Sequence, residues 1–497
     1  MINFILIGAL TSKPYAFTAR SWELKSIETI DLFDASCSNI KIDVRNSDIM
    51  RVLPVNNEYI NEEWISDKTR FAYDGLKRWR FINPVIKKDN YFIQVSWQQA
   101  FENIKFWINN NKYKNIILNT GNFVDLETTA ALKVWSNNYN NIVINSNTIS
   151  SDKENYFVNI KNINEIKENT VYIFVGLNLR FENPVMNIKM KKLSNQQNVL
   201  IGYFGAKYNN NLEYYHLGLN FLGILNLIKG KHPFLKTINS FLKINNVRKS
   251  FNNKVNLILG SELTNKVNFK ELFVLLEQYT NKYETFCYNI NTLYQHSGKI
   301  NIKELNLISD NSKLLDKSQK NLYYLIGYEK IKKNNVNDFI IYQGHQNDLN
   351  RIEFDVILPS YNWVEKSSLY LNSNRIIQKS NLVVTPPIQS RLDWKIIRMI
   401  SILFDKDIQF NNIKEIHKIL DKFSPNIMNS INKYELNSKF NIRYELNKRN
   451  KLVSFLNLNP FKSLNPNFYI TNSIERSSKI MNQCFTSLNN KSNNFFK

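Results

Sequence analysis

The chain has 497 residues, with 43% hydrophobic and 13% aromatic content, which is too apolar for a disordered polymer and long enough for about two to four subdomains. No apolar run approaches the roughly 18 residues that span a bilayer, so a membrane-crossing segment is excluded. The formal charge of +23 comes from 65 Lys and Arg against 42 Asp and Glu, but the lysines are dispersed among asparagines and form no basic arm, so they read as AT-rich codon drift on solvated faces and not as a nucleic-acid footprint.

Met1–Leu10 is apolar but has neither a basic leader region nor a small-residue cleavage site, so no signal peptide and no Arg-rich presequence is read there. Residues 25–85 alternate apolar and polar side chains, with Ile40, Ile42 and Val44 followed by Met50 and Val52, which predicts a small antiparallel β unit. From about residue 90 helix and strand patterns alternate, the signature of a layered α/β body with mainly parallel sheets. Ser96 is placed to cap a first helix, whose apolar stripe is Trp97, Ala100, Phe101, Ile104, Trp107 and Ile108. A strand from Asn115 to Leu118 runs into Asn119-Thr120-Gly121, a helix covers Asp125–Asn137, and a strand covers Asn141–Asn145. Buried strands are predicted at Val171–Val175, Val199–Ile201, Val255–Leu259, Phe339–Tyr342 and Val356–Leu358, each bounded by Gly, Asn, Asp or Pro. Beyond about residue 405 the chain is rich in Asn, Lys and Ser. One helix is predicted there at Lys414–Phe423, and Asn489–Lys497 are expected to fray.

Ordinary chemical signatures are absent. Cys37, Cys287 and Cys484 are isolated, and His216, His232, His296, His345 and His417 show no paired ligand spacing. There is no dinucleotide-binding glycine motif, no phosphate-cradling loop and no nucleophile elbow. Tyr342-Gln343-Gly344-His345 with Asp348 sits where α/β folds place ligand loops, but without a nearby nucleophile His345 reads as a loop or core residue.

Five ordered segments carry a resemblance: Gly8–Leu24 (G-A-L-T-S-K-P-Y-A-F-T-A-R-S-W-E-L), Ile60–Arg80 (with W-I-S-D-K and D-G-L-K-R-W-R), Gly176–Lys192, Phe339–Ser401 (with Y-Q-G-H, D-V-I-L-P and L-D-W-K-I-I-R) and Asn467–Ser478. They resemble the large iron-sulfur subunit of respiratory complex I in its mitochondrial form; residues 205–330 match more weakly. The resemblance implies a molybdopterin-oxidoreductase-like α/β fold and a place in the peripheral arm, on the matrix side of the mitochondrial inner membrane. There the chain would support the iron-sulfur electron path from NADH to ubiquinone. It also implies four regions: an extended segment at 1–24, a degenerate cluster domain at 25–85, a two-lobed Rossmann-like body at 86–405, and a helical and irregular extension at 406–497.

Departures from the family pattern refine this. The family's C-P-V-G-A-L-T segment reads Ile5-Leu6-Ile7-Gly8-Ala9-Leu10-Thr11 here, so the chain is expected to be the carboxy-terminal half of a split, organelle-encoded subunit whose cluster-bearing half is a separate partner chain. A second cluster motif of some bacterial relatives, C-x2-C-x3-C-x27-C, falls on Asp31, Asp34, Ser38 and Ser66. None is a thiolate donor, so no cluster or metal is expected. The family's C-x-K-G has become Ser66-Asp67-Lys68-Thr69, and Lys68, which would lie between cluster and pterin in molybdopterin enzymes, is expected to make a structural ion pair. Tyr15, Phe17, Arg20, Trp22 and Leu24 are the interface candidates, with packing on the chain's own small domain as an equal alternative. The leading reading is thus a structural, non-catalytic subunit without cofactor, which neither binds nucleic acid nor inserts in the membrane and whose partners are other peripheral-arm subunits. The alternatives are a molybdenum or tungsten oxidoreductase and a basic nucleic-acid binder.

Overall fold

The structure is a computed structural model that describes residues 12–89, 91–111, 113, 115–139, 142–144, 170–196, 199–207, 211–244, 255–264, 276, 288–307, 320–328, 333, 338–346, 353–405, 407–425 and 468–495. Ile5 and residues 8–11 of the first family segment, Cys287 and Asp348 lie outside the described residues.

The first sheet is antiparallel, made of β1 (Lys25–Ile30), β2 (Asn39–Arg45) and β3 (Asp48–Pro54) in that order. Ile40, Ile42 and Val44 are all buried in it, as the alternation requires. Two sheets then build the α/β body. Its strands are β4 (Val85–Lys88), β5 (Tyr91–Gln94), β6 (Asn115–Thr120), β7 (Ile142–Ile144), β8 (Thr170–Val175), β9 (Val199–Phe204), β10 (Tyr215–Gly218), β11 (Val255–Leu259), β12 (Tyr288–Thr292), β13 (Asn321–Ile326), β14 (Phe339–Gly344) and β15 (Val356–Pro359). One sheet has the order β5-β4-β15-β14-β13-β6-β7 and is parallel from β15 to β7, with the β4–β5 hairpin antiparallel at one edge. The other is wholly parallel, in the order β10-β9-β8-β11-β12. A short ribbon, β16 (Leu369–Leu371) with β17 (Ile377–Lys379), completes the described sheets.

Every predicted strand is present, most of them longer by one to three residues than the apolar runs suggest. β4, β5, β10, β12, β13, β16 and β17 were not foreseen. The first predicted helix spans Trp97–Asn111, and Ser96 and Gln99 cap it reciprocally, through Gln99 N to Ser96 Oγ (3.3 Å) and Ser96 N to Gln99 Oε1 (3.0 Å). Asp125 caps the helix Leu126–Asn138 by accepting from Thr128 N at 2.7 Å. The predicted helix near residue 414 spans Ile413–Phe423 and packs on Leu126–Asn138.

The chain end departs from expectation. Instead of fraying, it continues as the helix Lys479–Phe495. That helix is nucleated from outside. Asp74 accepts from Lys479 N (2.9 Å), Ile480 N (3.4 Å) and the Ser478 hydroxyl, and Met481 is buried in the small domain's core, so propagation needs no further nucleus.

Candidate functional site

Two buried polar centres stand where ligands would be sought. The first lies in the small domain, where the loop after β1, the helix Asp67–Phe71 and the helix Ser473–Ser477 converge. Asp31, Asp34, Ser38 and Ser66 are all buried there. Ser66 caps the helix Asp67–Phe71 through Thr69 N (3.1 Å), and its hydroxyl lies 2.6 Å from that of Thr69. The Thr69 hydroxyl donates to Asp31 Oδ2 at 2.5 Å, and Asp31 Oδ1 accepts from Phe33 N at 3.0 Å. Asp34 Oδ1 accepts from Ser36 N at 2.9 Å, whereas Asp34 Oδ2 and Ser38 Oγ have no hydrogen-bond partner among the described residues.

Asp31 and Ser66 are therefore bonded together through Thr69. Burial, and next the charge of Asp34, raise Asp31 to about 8. Burial raises Asp34 to about 6, opposed by its bond from Ser36 and by Lys68. Burial also pushes the Cys37 thiol up.

Lys68 makes its ion pair with Glu475 at 3.1 Å, both side chains being buried, and its ammonium lies 4.2 Å from the Phe468 ring centroid and 3.3 Å from Thr471 Oγ1. Lys68 thus pairs with Glu475 and also acts on Asp34, while Asp31 feels the charges of Asp34 and Glu475. Cys37 is the one thiol in the nest, its sulfur 4.0 Å from Leu371 O, and among the described residues no group of three or more His, Cys, Asp or Glu is arranged to hold a metal ion. Two carboxyls, two hydroxyls and one protonated thiol do not fit an iron-sulfur cluster, whose irons are held by thiolates.

The second centre lies at the carboxyl ends of β6, β13, β14 and β15, the place where open α/β sheets take ligands. Lys366, nearly fully buried, sits 2.5 Å from Asp125 Oδ2 and 2.7 Å from Asp393 Oδ2. Gln343 Nε2 donates to Asp393 Oδ1 at 2.8 Å, and the Tyr324 hydroxyl donates to Gln343 Oε1. Burial alone would lower the Lys366 ammonium, but the carboxylates of Asp125 and Asp393 outweigh it and hold it well above the usual lysine range. Glu127 beside it bonds His417 Nε2 and Leu369 N, each at 3.1 Å.

Two glycines near these strand ends face protein, whereas a Cβ at Gly327 would meet nothing within 4 Å. A Cβ at Gly121 would lie 2.0 Å from Gly327 O, and one at Gly298 would lie 2.5 Å from Asn122 O. With Gly121 closed off by main chain, Lys366 neutralised internally, and no described cysteine beside it, the residues do not fit a pterin-bound metal.

His345 is buried and its backbone carbonyl accepts from Phe81 N at 3.0 Å, so it is a core residue; burial, and then Arg80 and Lys366, hold its ring well below the usual histidine range. Lys366, Asp125, Asp393 and Glu127 were not foreseen, because buried ion pairs join residues far apart in sequence and leave no local signal.

The interface candidates divide. Tyr15 lies under Arg51, whose guanidinium carbon is 4.8 Å from its ring centroid, and Leu24 is half-buried. Phe17 is fully exposed, Trp22 is 79% exposed, and Arg20 is exposed with its backbone bonded to Glu23.

The molybdopterin oxidoreductase family matches residues 80–402, and the family described as "NADH-ubiquinone oxidoreductase NDSU1/NuoG-like, 4Fe-4S domain" matches residues 24–74. The chain is similar to the NADH-ubiquinone oxidoreductase 75 kDa subunit of Reclinomonas americana, with 34% identity covering 97% of this chain and 71% of that protein. It is 31% identical to the mitochondrial NADH dehydrogenase (ubiquinone) iron-sulfur protein 1 of Solanum tuberosum, covering 97% of this chain and 64% of that one. It is also 31% identical to the NADH-ubiquinone oxidoreductase 75 kDa subunit of Acanthamoeba castellanii, covering 100% of this chain and 71% of that one. Among the described residues, no helix is long and apolar enough to cross a membrane.

Proposed function

This chain belongs to the family of the 75 kDa subunit of NADH-ubiquinone oxidoreductase, and we propose that it is a structural, non-catalytic part of the peripheral arm of mitochondrial complex I. In this reading electrons pass from NADH to ubiquinone through iron-sulfur clusters carried by neighbouring chains, and this chain holds them in place without a cofactor of its own. The observation that carries the reading is the small domain, where the four cluster-motif positions hold Asp31, Asp34, Ser38 and Ser66, of which Asp31 and Ser66 are bonded together through Thr69. The chain sits on the matrix side of the inner membrane, attached only through partners.

The cluster-bearing part of the subunit is a companion chain, a proposal supported by Ile5 standing where the family motif has a cysteine. Phe17 and Trp22, with Tyr15, Arg20 and Leu24 around them, are the anchors toward it, since exposed aromatics next to arginine dominate interfaces. The test is purification of the native assembly with metal and sulfide analysis of each chain. The reading expects NADH-oxidising subunits, a separate cysteine-rich polypeptide, and an isolated full chain that stays colourless after reconstitution with iron and sulfide. A four-iron cluster bound at unit stoichiometry by this chain, stoichiometric molybdenum or tungsten, or cluster-motif cysteines in the same polypeptide would overturn the corresponding part.

A further inference from the structure

The seven-stranded sheet ends in β5, which pairs only with β4 among the described residues. The direction of its free main-chain groups follows from the ladder. Two residues separate Lys88 from its partner Tyr91, so that pair closes a two-residue hairpin and exchanges hydrogen bonds. Pairing then alternates: Ile86 with Ile93 is hydrogen-bonded, and Lys87 with Phe92 and Val85 with Gln94 are not. Two bonds outside the hairpin agree with this phase. Lys87 N donates across the other edge to Asp355 O at 2.8 Å, and Val95 N donates to Pro84 O at 2.9 Å. The N–H and C=O of Phe92 and Gln94 therefore point away from the sheet.

The side chains along this edge are apolar and solvent-facing. Tyr91 (76% exposed) and Ile93 (47%) share one face. Natural sheets cover, charge or bulge such edges. Here the charges, Lys87 and Lys88, lie on the inner strand.

We propose that β5 is a docking edge for an extended segment of a different protein, one that adds as an eighth strand, presents apolar side chains beside Tyr91 and Ile93, and carries acidic residues. Outward main-chain donors and acceptors in strand register bond a polypeptide and not a lipid. A second copy of this chain is the weaker occupant, since each copy carries a formal charge of +23 and like-charged surfaces repel on approach.

Two variants test this in the full chain within its native assembly. Gln94→Pro removes one outward N–H while leaving the inner ladder intact, with Gln94→Ala as control for the lost bond to Asn83. Ile93→Glu charges the exposed face. Each should lower recovery of one partner by about tenfold, leaving the melting of the free chain within a few degrees of the parent, while Gln94→Ala retains the partner. In the parent assembly the Phe92 and Gln94 amides should exchange at least about tenfold more slowly than in the free chain, and a photo-crosslinker at position 91 should join a peptide of that partner. Fast exchange in the assembly, unchanged recovery with both variants, or crosslinks to lipid or to a second copy of this chain would overturn the proposal.

Discussion

Replacing Asp31 with Asn tests whether the nest in the small domain is held together by a proton. In the folded chain Asp31 titrates at about 8 against 3.8 for the free side chain, because it is buried and faces Asp34. A carboxyl raised in the folded state binds its proton more tightly there, so this group's contribution is fully present below about pH 4 and is lost as pH rises toward about 8. At about 1.4 kcal/mol per unit the ceiling is roughly 6 kcal/mol. Asp31 and Asp34 titrate as a pair, and relaxation of the nest reduces the cost, so about 2–3 kcal/mol is expected. In Asp31→Asn the amide cannot ionise. The Thr69 hydroxyl can reverse, accepting from the new Nδ2 and donating to Ser66 Oγ, which already lies 2.6 Å away. Urea unfolding of the full chain from pH 5 to pH 9, followed by tryptophan fluorescence, should show parent and variant close together at pH 5 and the variant more stable by about 2–3 kcal/mol at pH 9. Parallel profiles, or a variant that loses stability at high pH, would refute the reasoning.

Lys366→Met leaves Asp125 and Asp393 buried without their cation and should cost about 3–5 kcal/mol in the same assay; a loss below about 1 kcal/mol would mean the carboxyls are not ionised together. Asp74→Ala removes the acceptor for Lys479 N and Ile480 N and should cost about 1 kcal/mol, read as faster amide exchange in the first turn of the last helix; unchanged exchange there would count against external capping. Gly121→Ala forces a Cβ to within 2.0 Å of Gly327 O and should cost about 3 kcal/mol. Gly327→Ala, with φ at 62° and open space around it, should cost only about 1 kcal/mol; equal losses would argue against a closed strand-end crevice.

What the sequence disclosed follows from the range of the forces involved. Ser96 could be read as a cap because a cap is satisfied within three residues, and the β2 alternation because its period is two. β10 was missed since Tyr215–Gly218 is short, ends in glycine and carries His216, so it lacks the apolar run that marked its neighbours. β13, Asn321–Ile326, does have such a run, and the signal was there to be taken. At the site, losing cysteine and glycine around Lys68 was legible, but their mutual repair was not. Thr69 reaches Asp31 across 38 positions, and Lys68 reaches Glu475 from the opposite end of the chain. Nothing local to Thr69 announces an acceptor so distant.

The two buried centres also show how buried polar groups in a fold of this family can satisfy one another. A polar cavity left unfilled exposes buried donors and acceptors at a cost of about 1–3 kcal/mol each. In the small domain the gap closes through hydroxyls and carboxyls that bond each other, with Lys68 offsetting part of the negative charge. In the body it closes through backbone contact at Gly121 and through Lys366, whose charge is met by Asp125 and Asp393. Both solutions join segments distant in sequence, so the polar groups that a ligand would otherwise engage now fasten β-loops to helices. Among the described residues, Phe17 and Trp22 beside the antiparallel sheet and Tyr91 and Ile93 on β5 keep large apolar side chains at the surface, where the proposed contacts with other proteins would form.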